Sequence, residues 1–144
     1  MRLTQHTDYA LRVLIYLGLR PNELSTIRQI SESYGISKNH LMKVALKLSK
    51  AGYIDSVRGQ SGGLRLNKPP GDIRLGALVK EMEPDFGLVE CKRPNNQCII
   101  TSECKLPAIL DIAIEAFIEK LDEHTVSDLL PEQSHQEFIR LLGI

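Results

Sequence analysis

Residues 26–66 read TIRQISESYGISKNHLMKVALKLSKAGYIDSVRGQSGGLRL. This segment opens on a capping box, in which the side chains of Thr26 and Gln29 each satisfy a backbone amide at the start of a helix. Gly35 is suited to end that helix in the left-handed conformation, and Ser37 to begin the next, whose apolar residues recur every three or four positions. Two short helices joined at a glycine turn are typical of a helix-turn-helix.

A β-hairpin is predicted directly after these helices. Residues 53–58 and 64–66 favour strands, and the Gly-rich run 59–63 between them favours a turn, so the hairpin forms a wing beside the helix-turn-helix. The same run fits the G-x-S-x-G pattern of a hydrolase nucleophile, but that site requires a helix after the turn, and here a strand returns. It is not a P-loop, since no Gly-Lys-Ser/Thr follows. We therefore predict that the protein is not an enzyme.

The remaining chain is predicted to be helical around one polar loop. A helix over residues 4–19 is capped by Thr4 or Thr7, and a long helix over 105–123 carries two apolar stripes. One stripe would pack on the chain's own domain and the other on a second copy, or both would pack within a monomer. The predicted fold class is mainly α with a small β-hairpin wing, divided into a winged helix-turn-helix domain (1–83), a cysteine-rich loop (84–104), a dimerisation helix with a short following helix (105–130) and a C-terminal tail (131–144).

The charges of the chain are segregated. The formal net charge is zero, but residues 1–80 hold 13 Lys and Arg against 5 Asp and Glu, whereas residues 81–144 hold 5 against 13. A basic front is expected when that part of a protein meets phosphate, although chance segregation of solvated charges is the alternative.

The helix that follows Ser37 presents amines and an amide away from its apolar stripe. Lysine neutralises phosphates and asparagine pairs with adenine in the major groove, whereas a merely solvated lysine face is the alternative reading. The wing favours the DNA reading, with arginines beside a minor groove. We predict double-stranded DNA contacts from Ser37, Lys38, Asn39, His40 and Lys43 on the helix, from Arg58, Gln60 and Arg65 on the wing, and from Arg28 to a phosphate. Lys47 and Lys50 extend the same amine-rich face.

All three cysteines of the chain, Cys91, Cys98 and Cys104, lie within 14 residues. The N-terminus lacks a secretory pattern and no apolar run is long enough for a membrane span, so we expect a cytoplasmic protein whose thiols are free or metal-bound. Thiolates bind iron-sulfur clusters and zinc, and the x6 and x5 spacings leave both open, beside unligated thiols. Three thiolates leave a four-coordinate site one ligand short, and the candidates for the fourth are His6, Asp8, Glu90, Glu103 and His124.

Three separate motifs carry a family resemblance: LTxxTDYALR at residues 3–12, YGISKNHL at 34–41 and VRGxxGGxRL at 57–66, followed by the three cysteines. Over roughly residues 1–130 the chain resembles the nitric-oxide-sensing repressors within the family of iron-sulfur winged-helix regulators that also includes IscR.

The resemblance implies a homodimer that binds an operator palindrome and holds an iron-sulfur cluster, of 2Fe-2S or 4Fe-4S type, on the three cysteines. It also implies that Asp8, from the first helix of the other protomer, is the fourth ligand, since no histidine follows Cys104 within a turn as in IscR-like members. Nitric oxide would displace this hard oxygen ligand, and the dimer would lose its operator. A regulator of the same architecture that senses cluster supply or redox state, and a zinc-stabilised interaction module, are the alternatives.

Overall fold

The computed structural model describes residues 2–131 and 134–144. These residues form six α-helices and one antiparallel two-stranded sheet, which confirms the predicted fold class. In chain order the elements are α1 (Gln5–Gly18), α2 (Ile27–Tyr34), α3 (Lys38–Lys50), β1 (Ile54–Val57), β2 (Gly63–Leu66), α4 (Leu75–Met82), α5 (Leu106–Asp122) and α6 (His135–Leu142), with 3-10 turns at Pro70–Asp72, Glu90–Lys92 and Val126–Leu129.

Helix α2 begins and ends at its predicted capping residues, and α3 begins directly after Ser37. The Thr26 hydroxyl accepts a hydrogen bond from the Gln29 amide at 3.2 Å, and the Gln29 side chain accepts one from the Thr26 amide at 2.7 Å. Gly35 has a φ of 64° and ends α2 in the left-handed conformation. Ser37 precedes α3 as predicted, but its side chain makes no capping hydrogen bond.

The wing is attached to the domain through its second strand. Strands β1 and β2 pair from Ile54 opposite Leu66 to Val57 opposite Gly63. Leu64 exchanges two backbone hydrogen bonds with Ser25, at 2.8 and 3.0 Å, just before α2 begins. A Cβ atom at Gly63 would lie 3.1 Å from the Ser25 carbonyl oxygen, so a side chain here would push the wing away from its support.

Helix α1 is the centre of the core. Its residues Ala10, Val13, Leu14 and Tyr16 are each fully buried, which agrees with a helix packed on more than one side. The other elements that enclose it contribute Ile30, Leu41, Leu48, Ile54, Ile73, Leu78, Met82 and Val126 to the same cluster. The helix-turn-helix, the wing and α4 therefore share a single apolar core.

Helices α4 and α5 lie side by side and run in opposite directions. At Gly76 the approach is so close that a Cβ atom would stand 2.4 Å from the carbonyl oxygen of Ile118. The Asp122 carboxylate then accepts a hydrogen bond from the Ala77 amide at 2.8 Å. The segment after α5 returns to the start of α4, where the His124 carbonyl oxygen accepts a hydrogen bond from the Leu75 amide at 2.9 Å.

The C-terminal parts differ in detail from the predicted helices. The short element after α5 is a 3-10 turn, with the Asp128 carboxylate accepting from the Thr125 amide at 2.7 Å. The tail, for which the sequence favours no element, contains α6, and Leu142 packs against the core. Among the helices described here, none combines the length and the apolar character that crossing a bilayer requires.

Candidate nucleic-acid interface and cysteine loop

The first turns of α3 present a polar face to solvent. Leu41, Val44 and Leu48 fix the opposite face of the helix in the core, so its orientation is set by burial. The residues predicted to contact DNA from this helix are all exposed: Ser37, Lys38, Asn39, His40 and Lys43. The ring of His40 lies 6.2 Å from that of Tyr9 on α1, beside a cavity of about 190 Å³ between the two helices.

Lys47 differs from the other lysines of α3. It is half-buried, and its ammonium group donates a hydrogen bond to the carbonyl oxygen of Met82 at 3.1 Å. Lys50, one turn further along, is exposed. The periodicity of α3 places both lysines on the amine-rich face, but the length of the Lys47 side chain lets it turn back to the end of α4.

The wing exposes the residues predicted for it. Arg58 and Gln60 lie exposed at the hairpin turn, and Arg65 pairs across the hairpin with Asp55 at 3.4 Å. Exposed ion pairs of this kind are worth about 0–1 kcal/mol, so a phosphate group could compete for the Arg65 guanidinium. The turn needs glycine, because Gly59 has a φ of 118° and a Cβ atom at Gly62 would stand 2.2 Å from the Val57 carbonyl oxygen.

Arg28 lies on the exposed face of α2 and pairs with Glu32 one turn later at 2.7 Å. The hydrogen bond from Arg28 lowers the pKa of Glu32 and, in return, raises the pKa of Arg28. The guanidinium faces solvent on the same domain as α3, but its charge is already partly neutralised.

The cysteine loop is held by its own polar groups. The Glu90 carboxylate accepts a hydrogen bond from the backbone amide of Gln97 at 2.9 Å. The Asn96 side-chain oxygen accepts one from the backbone amide of Cys98 at 2.9 Å. The Asn96 amide group donates to the Thr101 hydroxyl at 2.9 Å. These three bonds span at most seven residues, so they shape the loop locally. One ion pair, from Lys92 to Asp111 at 2.6 Å, joins the loop to α5.

None of the three cysteines forms a disulfide: Cys98 is exposed, and Cys91 and Cys104 are half-buried. Three accessible thiols on one loop are a suitable donor set for zinc or an iron-sulfur cluster. In the described part of this single chain, however, no three His, Cys, Asp or Glu side chains come close enough to bind one metal ion. The ligands that the sequence suggests are present, and the chain alone does not bring them together.

Asp8 lies half-exposed in the first turn of α1, where it forms a two-point ion pair with Arg12. The Arg12 guanidinium donates to the two Asp8 oxygens at 3.2 and 2.8 Å. The same guanidinium stands 5.9 Å from the ring centroids of both Tyr9 and Tyr34. Burial raises the pKa of Tyr34 to about 12, so this ring stays neutral beside Arg12 at physiological pH.

The other candidates for a fourth ligand have surroundings of their own. His124 follows α5 and stands 3.6 Å from the Asp128 carboxylate, and Glu103 is exposed near the end of the loop. The Nε2 atom of His6 is buried and has no hydrogen-bond partner among the described residues. Burial and the Lys47 ammonium lower the pKa of His6, against an opposing effect of Glu83.

Sequence reasoning missed Glu83. One oxygen of its carboxylate accepts hydrogen bonds from the Thr4 amide at 2.8 Å, from the Thr4 hydroxyl at 3.1 Å and from the Thr7 hydroxyl. The position of Thr4 predicts a cap of α1, and its hydroxyl accepts a hydrogen bond from the Thr7 amide at 3.3 Å. Glu83 lies 79 residues further along the chain, and no local pattern points to it.

An apolar strip on α5 and the adjoining loop is exposed. Leu106, Ile109 and Ile112 on α5 are 47%, 60% and 67% exposed, and Ile99 and Ile100 at the tip of the cysteine loop are 96% and 59% exposed. The other stripe of α5 packs towards α4, with Ile118 fully buried. The stripe that faces α4 is therefore covered in part within the chain, with Leu110, Ile114 and Leu121 half-buried.

Comparison with known proteins gives a consistent result. Residues 3–132 match the family model described as "Rrf2: Iron-dependent Transcriptional regulator". The chain is 46% identical to the HTH-type transcriptional regulator NsrR of Bacillus subtilis, over 99% of this chain and 97% of that one.

Two solved structures extend the similarity to the fold. The oxidized form of CymR from Staphylococcus aureus is 26% identical, with a TM-score of 0.70 over 90% of this chain and 95% of that one. IscR of T. potens has the same TM-score at 22% identity, over 90% and 85%, and supports the fold alone. The comparisons confirm the resemblance read from the motifs, and the names of these relatives are those of regulators and not of enzymes.

Proposed function

The chain belongs to the Rrf2 family of transcriptional regulators, and on that premise we propose that it is a cytoplasmic repressor that binds operator DNA as a homodimer and releases it when an iron-sulfur cluster meets nitric oxide. The observation that carries the proposal is a loop with three unpaired thiols in the same chain as an exposed basic face on α3 and the wing. The cysteine loop supplies the ligands, and α3 with the wing supplies the DNA contacts.

The proposed DNA contacts follow from exposure and chemistry. Lys38 and Lys43 neutralise phosphates, and the Asn39 amide pairs with an adenine edge in the major groove. Arg58 and Gln60 reach the neighbouring minor groove from the wing, while Arg65 exchanges its partner Asp55 for a phosphate. Arg28 adds a phosphate contact of lesser weight, because Glu32 already neutralises it.

A homodimer explains the exposed face of α5. Leu106, Ile109 and Ile112 form an apolar stripe on one long helix, and a two-fold axis beside it lets the same stripe of a second copy cover it. Two α3 helices related by that axis would read the two halves of a palindromic operator.

In the proposed sensor, Cys91, Cys98 and Cys104 of one protomer and Asp8 of the other hold the cluster. When bound, the cluster supplies iron that reacts with nitric oxide. Asp8 joins the site by leaving its ion pair with Arg12, a half-exposed pair worth about 0–1 kcal/mol, so the exchange of partners costs little. The Asp8 carboxylate would be the hard ligand among soft thiolates, and so the most weakly held one. Because Asp8 lies in the first turn of α1, its movement acts on the helix at the centre of the core.

The test starts from protein purified without oxygen, with analysis of iron, zinc and acid-labile sulfide. An operator duplex selected by the protein from a random library is then titrated, before and after addition of nitric oxide. Iron with sulfide and a loss of DNA affinity on nitric oxide addition is the expected result. Zinc without sulfide would support the interaction module, and iron with a DNA affinity that ignores nitric oxide would support sensing of cluster supply or redox state. Either outcome would overturn the proposal.

The role of Asp8 is tested separately with Asp8→Ala. We expect an altered absorbance spectrum of the cluster and a weaker effect of nitric oxide on DNA binding. Glu103→Ala removes another candidate for the fourth ligand, and if Asp8 is that ligand it should leave both the spectrum and the response unchanged. An unchanged spectrum with a full response in Asp8→Ala would contradict the assignment of Asp8.

A further inference from the structure

The C-terminal end of α4 is bonded to two other helices at one point. Lys47, in the third turn of α3, donates to the Met82 carbonyl oxygen, and Glu83 accepts from Thr4 and Thr7 at the start of α1. Met82 is 1% exposed, and Glu83, Thr4 and Lys47 are half-buried. The joint therefore consists of two charged side chains hydrogen-bonded to neutral groups, all shielded from much of the solvent.

Two bonds of this joint satisfy backbone groups at helix ends, the Met82 carbonyl oxygen and the Thr4 amide. The last carbonyl groups of a helix have no partner within it and favour a positive charge, which the Lys47 ammonium provides for α4. The first amides of a helix likewise favour a negative charge, which the Glu83 carboxylate provides at the start of α1. Hydrogen bonds to charged groups are stronger than those between neutral groups. The joint thus fixes how α1, α3 and α4 sit relative to one another.

The position of the joint relates it to both halves of the molecule. The chain leaves Glu83 directly for the cysteine loop, and Thr7 is the neighbour of Asp8. On α3, Lys47 lies one turn beyond Lys43, so a shift of the Lys47 bond turns or slides the helix that carries the predicted DNA contacts. Glu83 accepts three bonds from the start of α1, and the Met82 carbonyl oxygen accepts one from Lys47 of α3. Residues 82–83 are therefore attached to both α1 and α3.

We infer that Lys47 and Glu83 are positioning residues that transmit the state of the cysteine loop to α3. The inference rests on the proposed function and adds to it the side chains through which the switch acts. Lys47 is then a coupling residue and not a phosphate contact, in contrast to its neighbours Lys43 and Lys50 on the same helix.

The test compares Lys47→Met and Glu83→Gln with wild type. Methionine keeps the packing of the lysine stem and removes the donor, and glutamine keeps the shape of glutamate and removes the charge. Lys50→Met, on the same helix but exposed, is the matched control for loss of one positive charge. For each protein one measures the affinity for the selected operator duplex before and after nitric oxide, the absorbance spectrum of the loaded protein, and the thermal unfolding and amide hydrogen exchange of the cluster-free protein.

Coupling between two sites is typically 5-fold to 150-fold in affinity. We expect the ratio of affinities before and after nitric oxide to fall towards one in Lys47→Met and Glu83→Gln, with the absorbance spectrum unchanged. In the cluster-free protein, we expect faster exchange at the start of α1 in Glu83→Gln and at the end of α4 in Lys47→Met. Lys50→Met should weaken DNA binding equally in both states and keep the wild-type ratio.

The outcomes separate the inference from the function on which it rests. If wild type responds to nitric oxide and both variants keep its full ratio, the coupling role is wrong and the proposed function stands. If the variants bind the operator more weakly by the same factor before and after nitric oxide, the two residues only stabilise the fold. That outcome would also overturn the inference. A wild type without any response would overturn the proposed function, and the inference with it. Should Glu83→Gln not fold, Lys47→Met decides the question.

Discussion

The domain built on α1 and the region formed by the cysteine loop and α5 treat the same kinds of residue in opposite ways. In the first, large apolar side chains such as Leu14, Tyr16 and Leu48 are completely buried. In the second, Ile99, Ile109 and Ile112 are between 60% and 96% exposed. The first region is held together by its own burial, whereas the second carries surfaces that other molecules can cover.

The hydrogen bonds of the two regions differ in the distance along the chain that they span. Glu83 and Lys47 join helices that are distant in sequence, over 79 and 35 residues. Within the loop, the bonds of Glu90 and Asn96 span no more than seven residues. Local bonds can break and form again without disturbing the core, so the loop can rearrange while the domain stays folded.

The largest difference between the two regions should appear on truncation of an apolar side chain. Leu14→Ala leaves a cavity in the core, and we expect it to lower the free energy of unfolding by about 2–5 kcal/mol. Ile112→Ala removes an exposed side chain, and we expect a change within about 0.5 kcal/mol in dilute solution. Urea denaturation followed by circular dichroism measures both. Equal losses would mean that α5 is part of the same core and would break the comparison.

The contact between α4 and α5, where the two regions meet, should tolerate little change. Gly76→Ala places a Cβ atom against the Ile118 carbonyl oxygen, so we expect a loss of about 1–3 kcal/mol as the helices separate. Gly71→Ala is the control, because a Cβ atom there meets nothing within 4 Å. A midpoint of thermal unfolding that is equally lowered in both variants would contradict this account.

Loss of a hydroxyl group should change the free energy of unfolding differently in the two regions, but by a smaller amount. Thr26→Ala removes the capping box of α2, and we expect the free energy of unfolding to fall by about 1 kcal/mol. Thr101→Ala removes two hydrogen bonds within the cysteine loop, and we expect global unfolding to change by less than about 0.5 kcal/mol. Denaturant titration of the cluster-free protein gives both values. A larger loss for Thr101→Ala would show that the loop is part of the cooperative fold.

The smallest effect on folding is expected at the DNA-reading face. Lys43→Gln should leave the free energy of unfolding within about 0.5 kcal/mol of wild type, because its side chain is exposed. It should instead lower the slope of log affinity against log salt concentration by about one per protomer, the value expected for one lost phosphate contact. Fluorescence anisotropy with the selected duplex at several salt concentrations measures the slope. An unchanged slope would remove Lys43 from the proposed interface.

The sequence predicts the parts of this fold whose signals are local. The capping box of Thr26 and Gln29, the left-handed Gly35 and the Gly-rich turn of the wing all act within a few residues, and the structure confirms them. Exposure of the predicted DNA contacts follows from helical periodicity. Their contact with DNA stays a prediction.

Other features depend on contacts that a local pattern does not contain. Glu83 reaches Thr4 across 79 residues, and Lys47 leaves the face on which periodicity puts it because Met82 offers an unsatisfied carbonyl group. The meeting of Cys91, Cys98 and Cys104 with Asp8 depends in addition on a second chain and an inorganic group. These ligands could be named from residue type and family resemblance, but their arrangement stays a prediction.

The antiparallel packing of α4 on α5 has a consequence for the assembly of the cysteine site. The contact of Gly76 with Ile118 closes the 43 residues from one to the other, the cysteine loop among them, into a ring before any ligand binds. Closing a flexible chain of that length costs about 3 kcal/mol of entropy, and the helical contact meets this cost independently of the cysteines. Doubling the length would add only about 0.6 kcal/mol. The number of residues between the cysteines is therefore a weak constraint on assembly, and insertions in this ring should be tolerated far better than a bulky residue at Gly76.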